Sequence, residues 1–173
     1  MKYAILATIA VALCGCGVNG VAYRTPSRSM APAIEENDMV VCNPVAYASA
    51  DPQRFDIVVY DAANDLKQKQ TASAGKVLYF KRVEGLPGET LELRDNELYV
   101  NGQHVEQPFE VTKSDSDPKR NFGPIKIPDG EYFVLGDNRP DSNDSRYYPR
   151  PTIKRGEIGS KVIEVKKGFY GSK

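Results

Sequence analysis

The sequence predicts a mainly β fold, a barrel or sandwich of short strands that includes a small β-meander and follows one apolar N-terminal helix. Short runs rich in valine, tyrosine and phenylalanine recur along the chain and are bounded by turn residues such as Asn-Gly and Pro-Asp-Gly. The only long apolar run lies at residues 3–18, and no long amphipathic helix or internal repeat follows it. Short strands with regularly spaced turns are typical of β-barrels and sandwiches.

The apolar run at the N-terminus is long enough for a membrane-spanning helix. Residues 3–23 contain no charged residue, and about 20 apolar residues cross a bilayer. Lys2 precedes the run, which predicts that the following domain lies outside the cytoplasm. Two other interpretations stay open: a cleaved secretory signal, and a lipoprotein signal in which Cys16, within Leu-Cys-Gly-Cys, carries the lipid. We therefore predict an anchor or signal at residues 1–23 and one extracytoplasmic domain at 24–173.

The remaining strands are predicted from β-branched and aromatic runs that end at turn residues. A polar surface loop with a short helical turn is expected at residues 61–75, and a polar, mobile loop at 112–124. Asp-Asn and Asn-Gly turns join three strands into a meander, and the meander with its following loop occupies residues 89–127. In chain order the predicted strands are residues 38–42, 56–60, 77–83, 90–94, 97–100, 103–107, 132–135 and 161–165.

Composition and charge exclude several classes of protein. The 173 residues are 40% hydrophobic and 27% charged, which is usual for a folded domain. Lys plus Arg and Asp plus Glu number 23 each, so we expect no electrostatic surface for nucleic acid and no nucleic-acid partner. The single histidine, His104, follows an Asn-Gly turn and is interpreted as an exposed strand residue, which argues against a Ser-His-Asp hydrolase.

The cysteines predict neither a disulfide framework nor a zinc site. Cys14 and Cys16 lie inside the apolar run, which leaves Cys42 without a partner in the domain. One histidine and one cysteine are too few ligands for a zinc site built from these residue types. We therefore expect no metal and no cofactor.

Two serines stand close together after the apolar run, in Pro-Ser-Arg-Ser-Met-Ala-Pro at residues 26–32. In an extended backbone the side chains of Ser27 and Ser29 point to the same side, while Met30 points the other way as an apolar anchor. The flanking prolines stiffen the segment because each fixes its own φ angle. A serine hydroxyl is a weak nucleophile unless a neighbouring base takes its proton. The chain must therefore supply a base for either serine to react.

Lys81 is the candidate base. It lies in the predicted strand at 77–83, on a face that it shares with the apolar side chains of Val77, Tyr79 and Val83. One interpretation is an edge strand whose lysine reaches water. The other is a buried lysine whose pKa is lowered by desolvation, which leaves a neutral amine near pH 7. Only the second interpretation provides a base for the serine.

A polar stretch, Gly-Asp-Asn-Arg-Pro-Asp-Ser-Asn-Asp-Ser-Arg, follows the predicted strand at 132–135 and occupies residues 136–146. It is either a solvated loop or a segment that orders a site. Ser142 carries a hydroxyl that can bond to an amine, and Asp144 with Arg146 can form an ion pair. The second interpretation gives the stretch a supporting role beside the serine and the lysine.

Three stretches together resemble the type I signal peptidases, Ser/Lys proteases that remove signal peptides from exported proteins. They are Ser-Arg-Ser-Met-Ala-Pro at 27–32, Lys-Arg-Val-Glu-Gly-Leu-Pro-Gly at 81–88 and the polar stretch at 136–146, in the order that the family has. The acidic and apolar run at 38–41 resembles the family as well. Each stretch alone is a weak signal, but the ordered set covers most of the chain after Met30 and is specific.

The resemblance implies a role for each matching residue in a β-rich catalytic domain of signal peptidase type. Ser29 would be the nucleophile and Lys81 the general base, with Ser27 and the backbone N–H of Ser29 as oxyanion-hole donors. Ser142 would orient the lysine. Structural support of the site would come from Asp144, Arg146 and Arg82. The implied reaction is cleavage of preproteins after small residues, in Ala-x-Ala motifs, through an acyl-enzyme.

The chain departs from the family at three positions. Arg28 stands between the serines where Gram-negative members usually have glycine, Ala33 replaces a common threonine, and Pro149 replaces a glycine. The first two bear on substrate preference near the nucleophile, and the third on a local turn. None of the three removes a group that the implied chemistry needs.

The resemblance also implies where the protein works and with what. We expect a monomer in the bacterial inner (cytoplasmic) membrane, single-pass or lipid-anchored at Cys16, with its catalytic domain on the periplasmic or extracellular side. The expected partners are preproteins with signal peptides and membrane lipid. Three alternatives stay open: a pilin-maturation peptidase of a conjugation system, a self-cleaving Ser/Lys repressor, and an inactive surface lipoprotein that binds peptides.

Overall fold

The computed structural model describes residues 8–9, 20–61 and 78–168. Within these ranges the protein is mainly β, which confirms the predicted class, and its strands form two sheets. The strands are β1 (Thr8–Ile9), β2 (Val21–Arg24), β3 (Met39–Asn43), β4 (Ile57–Asp61), β5 (Leu78–Gly85), β6 (Thr90–Arg94), β7 (Glu97–Val100), β8 (Gln103–His104), β9 (Phe122–Lys126), β10 (Glu131–Leu135), β11 (Ile153–Lys154) and β12 (Ile158–Lys166).

The larger sheet has eight strands in the order β1-β2-β3-β12-β4-β5-β10-β11. The strand β5 lies between β4 and β10 and pairs antiparallel with both. Its residues from Phe80 to Gly85 are all buried, which means that both faces of the strand are covered. A polar side chain in the middle of β5 is therefore withdrawn from water on either face.

The smaller sheet has the order β8-β7-β6-β9 and contains the predicted meander as β6, β7 and β8. Its fourth strand, β9, was not predicted, and it occupies the end of the stretch expected to be a polar loop. Phe122 packs against Phe133 of β10 with ring centroids 5.4 Å apart, and this contact with the larger sheet favours the strand. The loop prediction was therefore wrong from residue 122 onwards.

Buried apolar side chains join the two sheets and also hold the segment that contains the paired serines. Leu91 and Leu98 of the smaller sheet belong to the same cluster as Phe133 and Leu135 of β10. In a second cluster, Met30 lies with side chains of β3, β4 and β5 and is only 2% exposed. The predicted role of Met30 as an apolar anchor is thus confirmed.

The N-terminal helix predicted over residues 3–23 is not supported. Val21–Arg24 is the strand β2, which pairs with β3 on one side and with Thr8–Ile9 on the other. Tyr23 packs edge-on against Phe80 with centroids 5.9 Å apart, so the edge of the large sheet stabilises an extended backbone there. The end of the predicted helix is therefore a strand.

Several other predictions fall outside the described residues. These are the rest of the apolar run, with Cys14 and Cys16, and nearly all of the loop at 61–75. Across the ranges that the structure does describe, no helix has the length and apolar character that a membrane crossing requires.

Candidate active site

Ser29 and Lys81 lie in contact inside the protein. The Lys81 Nζ is 2.8 Å from the Ser29 Oγ. Lys81 is 4% exposed and Ser29 is 8% exposed. Lys81 stands opposite Val58 in the antiparallel pair of β5 and β4. Of the two interpretations of this lysine, the structure therefore supports the buried one.

The environment of Lys81 favours the neutral amine. Burial lowers the pKa of Lys81 from 10.5 to about 8, against the opposing influence of the carboxylates of Asp144 and Asp137. The amine donates one hydrogen bond to the carbonyl oxygen of Phe80 at 3.0 Å, which fixes its direction. A neutral amine held in this way has a lone pair free to accept the proton of the Ser29 hydroxyl.

The segment around Ser29 turns at Ser29 and Met30. The Ala31 N–H donates to the Arg28 carbonyl at 3.0 Å, and the Ile34 N–H donates to the Met30 carbonyl at 2.8 Å. Met30 directly follows Ser29 and is anchored in the core, so this turn also fixes the position of Ser29. The extended backbone expected for the pair of serines thus ends at Ser29, where the turn begins.

Ser27 is exposed and lies against the backbone of Ser29. The Ser29 N–H donates to the Ser27 Oγ at 3.2 Å. The Ser27 hydroxyl proton stays available to a carbonyl oxygen that approaches this point, whereas the Ser29 N–H becomes available only when it leaves the Ser27 Oγ. Ser27 thus lies beside the N–H with which the resemblance pairs it as an oxyanion-hole donor, and that role stays a prediction.

Asn138, which the sequence did not single out, ties the polar stretch to the serine segment. Its side-chain Nδ2 donates to the Arg28 carbonyl at 3.1 Å, and its backbone N–H donates to the Ser29 carbonyl at 3.1 Å. Together these bonds hold the chain on both sides of the Ser29 N–H. The amide side chain in the Gly-Asp-Asn-Arg motif was the available signal.

Ser142 lies beside this junction, with its hydroxyl buried. Within the described part of the chain the Ser142 Oγ has no hydrogen-bond partner, so the bond to Lys81 implied by the resemblance is not formed. A buried hydroxyl without a hydrogen-bond partner is energetically unfavourable. Such a group is explained where a ligand or a small movement completes the bond. The role of Ser142 stays a prediction.

Gly136 leaves room for both serines. A Cβ added there would lie 2.3 Å from the Ser142 Oγ and 2.4 Å from the Ser29 carbonyl oxygen. Any side chain at this position must therefore displace the backbone of Ser29.

We expect Gly136→Ala to lower kcat roughly 10²-fold, because a displacement of about 1 Å at a reacting group has an effect of that size. Steady-state kinetics on the full chain measures it. The matched control is Gly156→Ala, where a Cβ would meet nothing within 4 Å. Equal kcat values for the two variants would contradict the tight contact.

The predicted ion pair of Asp144 and Arg146 is present and buried. The Arg146 Nε donates to the Asp144 Oδ1 at 2.8 Å, and its NH2 group donates to the Oδ2 at 2.9 Å. Asp144 Oδ2 also accepts the Gly136 N–H at 3.1 Å. The pair therefore supports the backbone that lies against Ser29.

Arg82 and Glu84, on the second face of β5, attach the polar stretch to that strand. Arg82 donates through Nε to Asp137 at 2.9 Å. Glu84 accepts from Arg139 at 3.0 Å, in a pair with no exposed side chain. Burial raises the pKa of Glu84 to about 7, while Arg139 opposes that rise. Two ion pairs thus join the lysine strand to the polar stretch.

The remaining candidates lie apart from this chemistry or are inert. His104 is exposed in β8, next to Glu97 at 3.4 Å, as predicted for a surface strand residue. Cys42 is a free, buried thiol, and burial raises its pKa to about 12. Neither residue provides a nucleophile or a base at the site.

Comparisons with known proteins identify the family of the chain. The family model described as "Signal peptidase, peptidase S26" matches residues 1–165. A signal peptidase I of Leptolyngbya laminosa is 40% identical over 141 residues, which are 80% of this chain and 64% of the relative. The signal peptidase I T of Bacillus subtilis is 33% identical over 131 residues, covering 72% of this chain and 62% of the relative.

A crystal structure of a signal peptidase I from Enterococcus faecalis is 33% identical and matches with a TM-score of 0.49, covering 65% of this chain and 97% of that one. The chain spans about half to two thirds of the length of the curated relatives it matches, from 53% to 64%. The family match extends over nearly all of the sequence, and this chain belongs to the signal peptidase family, peptidase S26.

Proposed function

We propose that this protein is a serine endopeptidase in which Ser29 is the nucleophile and Lys81 the general base. The observation that carries the proposal is the 2.8 Å contact between the hydroxyl and a buried amine. Desolvation lowers the pKa of Lys81 to about 8, so a useful fraction of the amine is neutral near pH 7. A base at this distance needs no rearrangement to accept the proton of the serine.

The proposed reaction is acyl transfer in two stages. Lys81 takes the proton of Ser29 as its oxygen attacks the scissile carbonyl carbon, and the carbonyl oxygen becomes an oxyanion. The Ser27 hydroxyl donates to that oxyanion, and so does the Ser29 N–H, which exchanges the Ser27 Oγ for the oxyanion. The protonated Lys81 then gives its proton to the leaving amine, which leaves an ester on Ser29. The neutral amine next takes a proton from water as the water oxygen attacks the ester carbon. The protonated Lys81 then returns that proton to the Ser29 oxygen as it leaves, which releases the acid and restores the Ser29 hydroxyl.

Ser142, Asp144, Arg146 and Arg82 are proposed to position these groups. The unpartnered hydroxyl of Ser142 is suited to bond the Lys81 amine once a substrate occupies the site. The buried pair of Asp144 and Arg146 holds the backbone at Gly136, against which Ser142 lies. Arg82 holds the same stretch from β5 through Asp137.

The proposed substrates are preproteins, cut after small residues in Ala-x-Ala motifs. The support is membership of a family whose matching relatives are called signal peptidase I. We also propose that the protein acts at the outer face of the cytoplasmic membrane, where a preprotein's signal peptide is held. Whether Cys16 carries lipid is a separate prediction about the N-terminal run.

The function is tested by incubating the full chain, in detergent, with a preprotein that carries an Ala-x-Ala site. We expect cleavage after the second alanine, read from the new N-terminus by mass spectrometry. A matched preprotein with leucine in place of that alanine is the control and should stay intact.

We further expect kcat to rise with pH and to level off above about 8. Below the pKa of Lys81, about 8, the amine is protonated and has no lone pair, so each lower pH unit reduces the active fraction about tenfold. Rates measured from about pH 6 to about pH 10 test this. Absence of preprotein cleavage would contradict the proposed function. A rate that does not change with pH would contradict the role of Lys81 as the base.

A further inference from the structure

The polar segment 112–121 carries a buried carboxylate that the proposed mechanism does not use. Asp117 is 3% exposed, although Asp115 and Ser116 before it and Pro118 after it are exposed. Burying a carboxylate is unfavourable unless a cation and hydrogen-bond donors surround it. Its partners therefore show what this segment is attached to.

The main partner of Asp117 is Arg146. The Arg146 NH1 group donates to the Asp117 Oδ2 at 2.7 Å, and neither side chain is exposed. The other nitrogens of the same guanidinium donate to Asp144, at 2.8 and 2.9 Å, and to the carbonyl of Arg139 at 2.7 Å. Arg146 is thus held between two carboxylates, one from the motif and one from outside it.

These bonds continue from Asp117 to the reacting serine. Asp144, on the far side of Arg146, accepts the Gly136 N–H at 3.1 Å. Gly136 in turn leaves no room for even one methyl group against the Ser29 carbonyl and the Ser142 hydroxyl. A shift of the Arg146 guanidinium towards or away from Asp117 would therefore change the position of the Ser29 backbone.

The segment itself is attached at both ends, which fixes where Asp117 is presented. At its start the Thr112 N–H donates to the Asp137 carbonyl at 2.9 Å, and the Arg139 N–H donates to the Thr112 carbonyl at 3.0 Å. At its end the Arg120 carbonyl accepts the Asn96 N–H from the smaller sheet at 2.8 Å. The segment predicted as a mobile loop is thus tied to the site and to the smaller sheet.

We propose that Asp117 is a positioning residue for the peptidase reaction: it orients Arg146, and through Arg146 and Asp144 it holds residues 136–146 against Ser29 and Lys81. The proposal rests on the proposed function for its kinetic consequence. The contact itself does not depend on that function. None of the three stretches that identify the family includes Asp117, so the residue adds an element from outside them.

The test compares Asp117→Asn with Asp115→Asn in the full chain. The first change keeps the size of the side chain and removes its charge; the second removes an exposed charge two residues away and is the matched control. We expect Asp117→Asn to lower kcat at least tenfold with KM changed less than twofold, because substrate contacts are untouched. The control should match the wild type.

A second readout separates positioning from a general loss of stability. The charged groups that act on Lys81 are Asp144, Asp137, Arg146 and Asp141, and Arg146 lowers the pKa of Lys81. Without Asp117 the charge of Arg146 is less compensated, so the acidic limb of the kcat profile should move to lower pH. A structural defect alone would reduce the active fraction equally at every pH.

Amide hydrogen exchange gives a readout that needs no activity. Peptides that cover residues 136–146 should exchange at least tenfold faster in Asp117→Asn than in the control. If the wild type fails to cleave preproteins, the proposed function is lost, and the exchange result alone decides the positioning role. Unchanged exchange, or an unchanged kcat and pH profile in an active enzyme, would overturn the proposal.

Should Asp117→Asn fail to fold, Asp117→Glu replaces it. Glutamate keeps the charge but is one methylene longer, so it displaces Arg146 without leaving it unpaired. We expect a kcat at least threefold below the wild type with unchanged KM. A wild-type kcat in this variant would overturn the proposal as well.

Discussion

Ser29→Ala is expected to abolish cleavage of a preprotein, with kcat/KM lowered at least about 10⁴-fold. The variant removes the hydroxyl oxygen that lies 2.8 Å from the Lys81 Nζ, and so removes the proposed nucleophile. The fold should be unaffected, because Met30 rather than the hydroxyl anchors the segment in the core. Product formation followed by mass spectrometry at high enzyme concentration measures the residual rate.

The matched control for this change is Ser49→Ala, an exposed serine in the loop before β4, which should cleave like the wild type. Thermal unfolding of both variants checks that the loss is chemical. If Ser29→Ala retained more than about one hundredth of the wild-type rate, another group would have to be the nucleophile.

We expect Lys81→Met to remove activity to the same extent while leaving the protein at least as stable at pH 7. Methionine has a similar length and no charge, so it fills the space of the amine without the cost of a buried ammonium. In the unfolded chain the amine has its usual pKa of 10.5, against about 8 in the folded protein. The wild type is therefore destabilised by the charge below about pH 8 and gains stability as the pH rises from there towards 10.5.

Melting temperatures at pH 7 and pH 10 test this linkage, since the methionine variant should lack the wild-type gain. Lys81→Arg is the second variant: it restores a cation but stays protonated, so it should also be inactive. Turnover in either variant would overturn the assignment of Lys81 as the base.

The contact between Ser29 and Lys81, which are 52 residues apart, was implied by the resemblance of their two motifs to the family. The apolar face of the strand left an exposed and a buried Lys81 open, and its 4% exposure decides for the buried position. The meander followed from Asn-Gly and Asp-Asn turns, since turn chemistry is local. Features that depend on neighbouring residues in the chain were thus predicted well.

Three features that depend on contacts between distant segments were missed. The strand β2 is extended because it pairs with β3, and the apolar character of Val21 and Tyr23 suits a helix as well as a strand. The strand β9 exists because it pairs with β6. Asp117 gave no local signal, because a carboxylate in a polar run is ordinarily exposed and only Arg146 withdraws it from water.

The ion pairs on the polar face of β5 have a consequence for the order in which the protein is synthesised and folds. Arg82 pairs with Asp137, and Glu84 pairs with Arg139. In both pairs the partner lies 55 residues later in the chain. The same late stretch also holds the Ser29 segment, because the Asn138 N–H donates to the Ser29 carbonyl. On the proposed function we therefore expect cleavage only from a chain in which residues 136–146 have been synthesised and have joined β5.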